Sequence, residues 1–471
     1  MAPPSPDDLA FASVAELGRL LRQKKTSATE LAKYFLDRLE RLGPQFNAVV
    51  TLTRARALAE AAQADAEIRQ GKWRGPLHGI PYGVKDLIAT KGYPTTWGAE
   101  PYRQQTLETD ATIVERLGAA GAVLVAKLAM VELAGGMGYN QANASFTGPG
   151  KTPWNTNYWS GGSSSGPGAA VAAGLVPFAI GSETSGSILT PAAYCGATGL
   201  RPTYGLVSRH GAMALAWTMD KLGPMARSAD DCAMVLQVIA GKDPKDPSSV
   251  DRGFKVPQEH GSPARFRIGI PKSADKDIQP EVAANFRAAL KVLADRVELV
   301  EDVELPDLPY GAVAGLIIAA EGASAFDDLL KDGRLSQLTA PEDRTGGYGA
   351  LAVSAPDYLR ALRVRRPMQR ALDDFLKQFD ALAVPTRTTV ASPIDKPFRD
   401  GWPGITGGAN VIGPTNVVGV PGISVPNGFG VQNLPTGLSF TTRAFDEGKL
   451  VTLGRLYQGR TDWHRRQPTL T

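Results

Sequence analysis

Leu31, Tyr34, Phe35 and Leu39 recur at the spacing that lines up apolar side chains on one face of a helix. Ser27-Ala-Thr-Glu30 supplies a capping box ahead of them, and Gly43-Pro44 supplies the stop. A short extended run at 48–52 precedes an Ala/Glu/Arg-rich helix over 54–70, ended by Gly71. Residues 1–70 therefore read as a helical N-terminal segment. The pattern then changes. Residues 78–88 and 122–128 (AVLVAKL) are short apolar runs that predict buried strands, with a helix over 111–119 between them.

Further along, the pattern predicts a helix at 168–174, a strand at 176–181 and a turn-rich passage to Pro224. An amphipathic helix follows over 228–240. The Lys/Asp/Pro/Ser-rich stretch 241–264 reads as a surface loop. A strand at 267–270, a helix at 281–297, a core helix around 313–320 and late strands at 381–384 and 422–425 complete the reading. The arginines of 360–370 lie on a helix that Pro367 is expected to interrupt, and a solvated or salt-bridged face accounts for them better than phosphate binding. Interleaved strands and helices without a clear linker predict one large α/β domain with a mixed sheet.

Composition narrows the function classes. The 471 residues are 43% hydrophobic and 21% charged, as in a soluble globular protein with a large core. A net charge of +4 is modest for this size and by itself gives nucleic-acid binding little support. Cys195 and Cys232 form no CxxC pair, which argues against a disulfide framework and a zinc knuckle; no metal site is expected. The first 21 residues lack the basic stretch of a secretory signal, and the apolar stretches 168–180 and 313–320 are too short to span a bilayer. The expectation is a cytoplasmic protein without membrane association.

Candidate chemistry concentrates in 160–187, SGGSSSGPGAAVAAGLVPFAIGSETSGS, where two Ser/Gly-rich loops flank one apolar segment. A serine nucleophile needs a base, and the chain has only four histidines. Lys85, in the apolar run GIPYGVKDLI, would be partly desolvated, which lowers an ammonium toward usable basicity; taken alone, a strand-end lysine reaching water is the better reading. Gly162-Ser-Ser-Ser-Gly166 fits GxSxG, with Ser164 as nucleophile and His210, His260 or His464 as base, but the loop-like residues 155–160 before it do not make the strand that an elbow requires. The same loop lacks the Gly-Lys-Ser/Thr ending of a phosphate cradle. Ser273-Ala-Asp-Lys276 matches SxxK without its companion motifs and is set aside. In Gly181-Ser-Glu-Thr-Ser-Gly-Ser187, an apolar strand runs into a tight turn whose N–H groups can converge on an oxyanion.

In combination, GIPYGVKD, SGGSSSGPGAAVAAG and GSETSGSILTPAAYCGATGLRPTYG resemble the amidase signature family of serine hydrolases. Segments 219–228 (MDKLGPMARS), 383–386 (AVPT) and 416–428 (NVVGVPGISVPNG) are similar to family segments too, so the likeness covers roughly residues 10 to 460. It implies an α/β/α sandwich with a large mixed central β-sheet flanked by helices, in one domain over 1–471, with 241–380 as a peripheral insertion covering the substrate pocket. It implies Ser187 as nucleophile, Ser163 as a bridging serine on a cis peptide and Lys85 as base. The backbone N–H groups of Thr184, Ser185, Gly186 and Ser187 would form the oxyanion hole. No cofactor is implied.

Two departures bear on substrate. Ser165 replaces a glycine common in the family, and Leu189 stands where an arginine is common, which makes that wall more apolar. With Leu189, the segment Gly135-Gly136-Met137 is assigned to the substrate pocket. The expectation is a monomeric or homodimeric hydrolase of neutral, rather apolar amides, including aryl amides, esters and carbamates, similar to the urethane-cleaving branch. The alternative is the glutamine-hydrolysing A subunit of a tRNA-dependent amidotransferase, working with partner subunits.

Overall fold

The computed structural model describes residues 9–258, 265–409 and 411–470. Eleven strands form one sheet: β1 (Val49–Leu52), β2 (Pro81–Lys85), β3 (Val123–Leu128), β4 (Phe178–Glu183), β5 (Thr198–Arg201), β6 (Lys221–Ala226), β7 (Phe266–Pro271), β8 (Val297–Val303), β9 (Ala381–Pro385), β10 (Gly422–Phe429) and β11 (Pro435–Thr441). Their spatial order is β1-β3-β2-β4-β6-β5-β10-β11-β9-β7-β8. The trios β3-β2-β4 and β9-β7-β8 are parallel. The strands joining them are antiparallel. Parallel neighbours need a crossover, and the helices Thr112–Ala119 and Pro280–Leu293 provide it between β2 and β3 and between β7 and β8. Helices pack along the sheet from end to end, which gives the α/β/α arrangement.

Strands β2, β3, β4 and β6 are buried along their whole lengths, and β3 (VLVAKL) accordingly reads as a nearly continuous apolar run. Edge strand β8 keeps only its end residues buried. At the N-terminal side, Ser27 caps the helix Ala28–Leu42 with both halves of the capping box formed. No helix among the described residues is long and apolar enough to cross a membrane.

Several elements differ from the pattern-based expectation. The helix placed at 168–174 spans Ser165–Ala172, because the Ser/Gly loop itself opens into it. Its second residue, Gly166, sits where a Cβ would lie 2.4 Å from the Ala129 nitrogen and 2.5 Å from the Ala48 oxygen. The helix expected over 281–297 stops at Leu293, and Val297 already belongs to β8. Helix Ala355–Leu376 runs unbroken through Pro367, which is exposed, so water meets the carbonyl that loses its N–H partner. Residues 241–258 carry no helix or strand, and the rest of the loop reading, 259–264, lies outside the described residues.

Segment 241–380 is not wholly peripheral. It contributes β7 and β8 to the sheet. Within it, residues 326–347 lie against the loop 132–139: Met137 packs beneath Gly346 and Gly347, and Gly136 faces Phe326.

Candidate active site

Lys85 ends β2 between the buried strands β3 and β4, with no exposed surface. Its Nζ is hydrogen-bonded to Ser163 Oγ at 2.7 Å and to Ser182 Oγ at 2.9 Å. Burial pushes its ammonium down to about 7, against the opposing pull of Asp220 and Glu183. Neighbouring Asp86 does not neutralise it: Asp86 pairs with buried Lys127 at 2.9 Å and accepts the Thr96 N–H at 3.0 Å. A substantial neutral fraction of the amine near pH 7, beside a hydroxyl, is therefore available to take its proton.

Ser163 is carried by the loop before helix Ser165–Ala172, where the Gly162–Ser163 peptide is cis. Gly161 has φ +80°, and a Cβ there would lie 2.7 Å from Pro191 Cα, so only glycine fits this close approach. Ser164 points to the backbone of β4, donating to the Ser182 oxygen at 3.1 Å and accepting the Ser182 N–H at 3.3 Å. Its own N–H donates to the Ser187 oxygen at 3.3 Å, which ties the two Ser/Gly loops together. The GxSxG reading fails on this geometry. His210 meets Thr112, and His464 lies with Arg227 near the N-terminal helices. His260 lies outside the described residues.

After β4 the chain turns through Thr184–Ser187, with Gly186 at φ +91°. Glu183, wholly buried, organises this turn. Its Oε2 accepts the N–H groups of Ile188 and Leu189 at 2.8 and 3.0 Å. Its Oε1 pairs with Arg201 Nη1 at 2.8 Å and accepts from Asn416 Nδ2 at 2.8 Å. Burial pushes this carboxyl up, but Arg201 and Lys221 outweigh it and hold the group down to about 2. On the other side Thr184 Oγ1 donates to Asp220 Oδ1 at 2.6 Å, and Asp220 Oδ2 accepts the Leu215 and Ala216 N–H groups. Among the described residues, no protein acceptor takes the N–H of Ser185, Gly186 or Ser187. Three backbone donors are thus left for a developing negative charge.

Two cavities border this cluster. One, of about 170 Å³, is lined by Leu87, Ala134, Ser182, Thr184, Met213 and Leu215, among others. The second, of about 320 Å³, is lined by Gly162, Ser185, Thr190, Tyr139, Tyr194 and Arg387, among others. Gly135, Gly136 and Met137 line neither; Gly136 is covered by Leu215 and Phe326, and Ala134 reaches the first cavity instead. Leu189 is also turned away, packing into the core against Gly422, while its neighbour Thr190 lines the second cavity. The helical turn that begins at Leu189 sends adjacent side chains in different directions, which spacing alone does not reveal.

Sequence reading passed over Ser182, Glu183, Arg201 and Asn416. A signal existed for Glu183, a carboxylate closing the apolar run FAIGSE, because a charge in a buried strand needs a partner. Its partners, 18 and 233 positions away, are brought to it only by the sheet.

Comparison with known proteins agrees with this architecture. The amidase family model matches residues 30–451. The A subunit of the glutamyl-tRNA(Gln) amidotransferase of Roseiflexus sp. (strain RS-1) is 39% identical, over 97% of this chain and 98% of that protein. The structure of native peptide amidase from Stenotrophomonas maltophilia superimposes with a TM-score of 0.84 at 32% identity, covering 98% of each chain. The A subunit of the glutamyl-tRNA(Gln) amidotransferase of Thermotoga maritima gives 0.81 at 29% identity, covering 98% of this chain and 99% of that one.

Proposed function

The chain belongs to the amidase family, and we propose that it hydrolyses carboxamides through an acyl-enzyme on Ser187. The observation that carries this reading is the 2.7 Å contact of Lys85 Nζ with Ser163 Oγ in a fully buried setting. Neutral Lys85 takes the Ser163 proton while Ser163 takes that of Ser187, and Ser187 Oγ attacks the carbonyl carbon. The N–H groups of the turn Thr184–Ser187 hold the oxyanion. When the C–N bond breaks, the same relay returns the proton to the leaving nitrogen. Water then attacks the acyl group by the same route, releasing the acid and restoring Ser187. The relay supplies ~10²–10⁴-fold and each oxyanion donor ~10²–10³-fold.

Two finer readings share this chemistry. Apolar amides, esters and carbamates rested on Leu189, whose burial in the core removes that argument. The reading as a glutamine-hydrolysing subunit is favoured by the relatives matched over almost their whole length. In that case the chain works with partner subunits.

The test is a panel of primary amides, p-nitroanilides, esters, carbamates and L-glutamine, run with wild type and Ser187→Ala. Turnover abolished by Ser187→Ala is expected; equal turnover in both removes Ser187 as nucleophile. Glutamine hydrolysis that rises when partner subunits are added assigns the second reading, whereas full turnover of simple amides by the isolated chain assigns the first.

A further inference from the structure

The cavity that reaches Gly162 and Ser185 has an unusual lining. Among the described residues its charged side chains are Arg387 and Arg399, and no Asp or Glu lines it. Trp159 and Phe398 stack at 4.2 Å on one wall, with Tyr139 set edge-on to both. Arg387 follows directly on β9 and Thr386, whose N–H donates to the Gly437 oxygen and whose Oγ1 pairs with Ser424 Oγ at 2.8 Å. The arginine therefore projects from a rigid base.

Other enclosed arginines of the chain have protein acceptors. Arg201 pairs with Glu183, Arg38 donates to the carbonyls of Ala173 and Gly174, and Arg365 to those of Val417 and Thr218. Arg387 has no carboxylate or carbonyl partner among the described residues; it is hydrogen-bonded to the Tyr194 phenol, with the Tyr139 phenol nearby. It is solvent-exposed inside the cavity. A guanidinium offers five donors in a planar fork suited to a carboxylate, and here it lines the cavity that also reaches Gly162 and Ser185.

We propose that Arg387 anchors a carboxylate of the substrate, so that the preferred amides are monoamides of dicarboxylic acids. The inference rests on the amidohydrolase reading above and names its substrate class. The carboxylate sits on Arg387 while the carboxamide reaches the turn Thr184–Ser187, and the aromatic wall excludes water from the chain between them. This replaces the neutral, apolar substrate expected from Leu189.

The test compares succinamate with butanamide, and 4-carbamoylbenzoate with benzamide, using wild type, Arg387→Gln and Arg387→Lys. Wild type is expected to favour the carboxylated member of each pair by ~10–100-fold in kcat/KM, the range of a charge-assisted hydrogen bond. Arg387→Gln should bring that ratio close to one, chiefly through KM, with Arg387→Lys between. A wild-type ratio of one, or a ratio that Arg387→Gln leaves intact, overturns the proposal. If wild type turns over none of the four, the isolated chain does not hydrolyse simple amides, and calorimetry of the same compounds decides the anchor. Binding of succinamate over butanamide that Arg387→Gln abolishes upholds it; equal or absent binding overturns it.

Discussion

Glu183 and Arg201 form an ion pair at 2.8 Å with both side chains fully buried, and the same carboxylate accepts the N–H groups of Ile188 and Leu189. The pair is more than a packing detail, because it fixes the end of the turn that presents Ser187. Desolvating two charges is costly, and the hydrogen bonds from Asn416 and two backbone N–H groups help to offset it.

Glu183→Gln should therefore be strongly destabilising. It removes the charge opposite Arg201 and sets an amide NH₂ against other donors, at a cost of ~3–5 kcal/mol. Urea unfolding checks this, with a lower midpoint and an unchanged slope expected. Because the folded pKa of Glu183 is depressed from 4.5 to about 2, its stabilisation is present above 4.5 and fades as pH falls from there toward 2. The variant should lack that part of the acid transition.

The activity should follow the titration of Lys85. Its ammonium is lowered from 10.5 to about 7, so kcat/KM should rise about tenfold per unit below 7 and level off above it. Lys85→Ala should lose ~10²–10⁴-fold of the amide turnover above pH 7, with the deficit narrowing as pH falls below it. The unfolded chain binds this proton up to 10.5 and the folded chain only to about 7, so stability should increase with pH across that interval. Lys85→Met should flatten that slope. A pH–rate profile and unfolding at several pH values read both effects.

A second titration lies beside the site. Asp343 accepts the Tyr139 N–H at 3.1 Å and faces Glu132, which itself accepts the N–H groups of Thr339 and Ala340. Burial first, and Glu132 second, push the Asp343 carboxyl from 3.8 up to about 7. The protonated form is favoured by folding, so its contribution is complete below 3.8 and is lost as pH rises through 7. Protection factors of the amides of residues 339–346 should fall across that range in wild type and stay level in Asp343→Asn, which remains neutral.

Gly166 and Gly253 make a matched pair. A Cβ at Gly166 meets the backbone of Ala129 and Ala48, whereas at Gly253 nothing lies within 4 Å. Gly166→Ala should cost at least ~1–3 kcal/mol, since backbone cannot yield as a side chain does. Gly253→Ala should stay within ~0.5 kcal/mol of wild type. Parallel denaturant melts give the comparison.

Local pattern was enough for Ser27 and its capping box, for the continuous apolar run of β3, and for Lys85 as a cation inside an apolar strand. Each depends on neighbours within a few positions, where periodicity and capping chemistry operate. Strands β5 (TGLR), β6 (KLGPMA) and β11 (PTGLSFT) escaped because glycine and proline give them the composition of turns; long-range pairing makes them strands.

By itself the sequence determined the α/β class, the apolar strand that holds Lys85, and the two Ser/Gly loops with Ser163 and Ser187. Only the tertiary structure decided where those groups point. It brought Ser163 within 2.7 Å of Lys85 across 78 positions, and it turned Leu189 into the core. It also left Arg387 facing a cavity without a carboxylate. Side-chain direction depends on the register and packing of elements distant in the chain, and a linear pattern carries no measure of either.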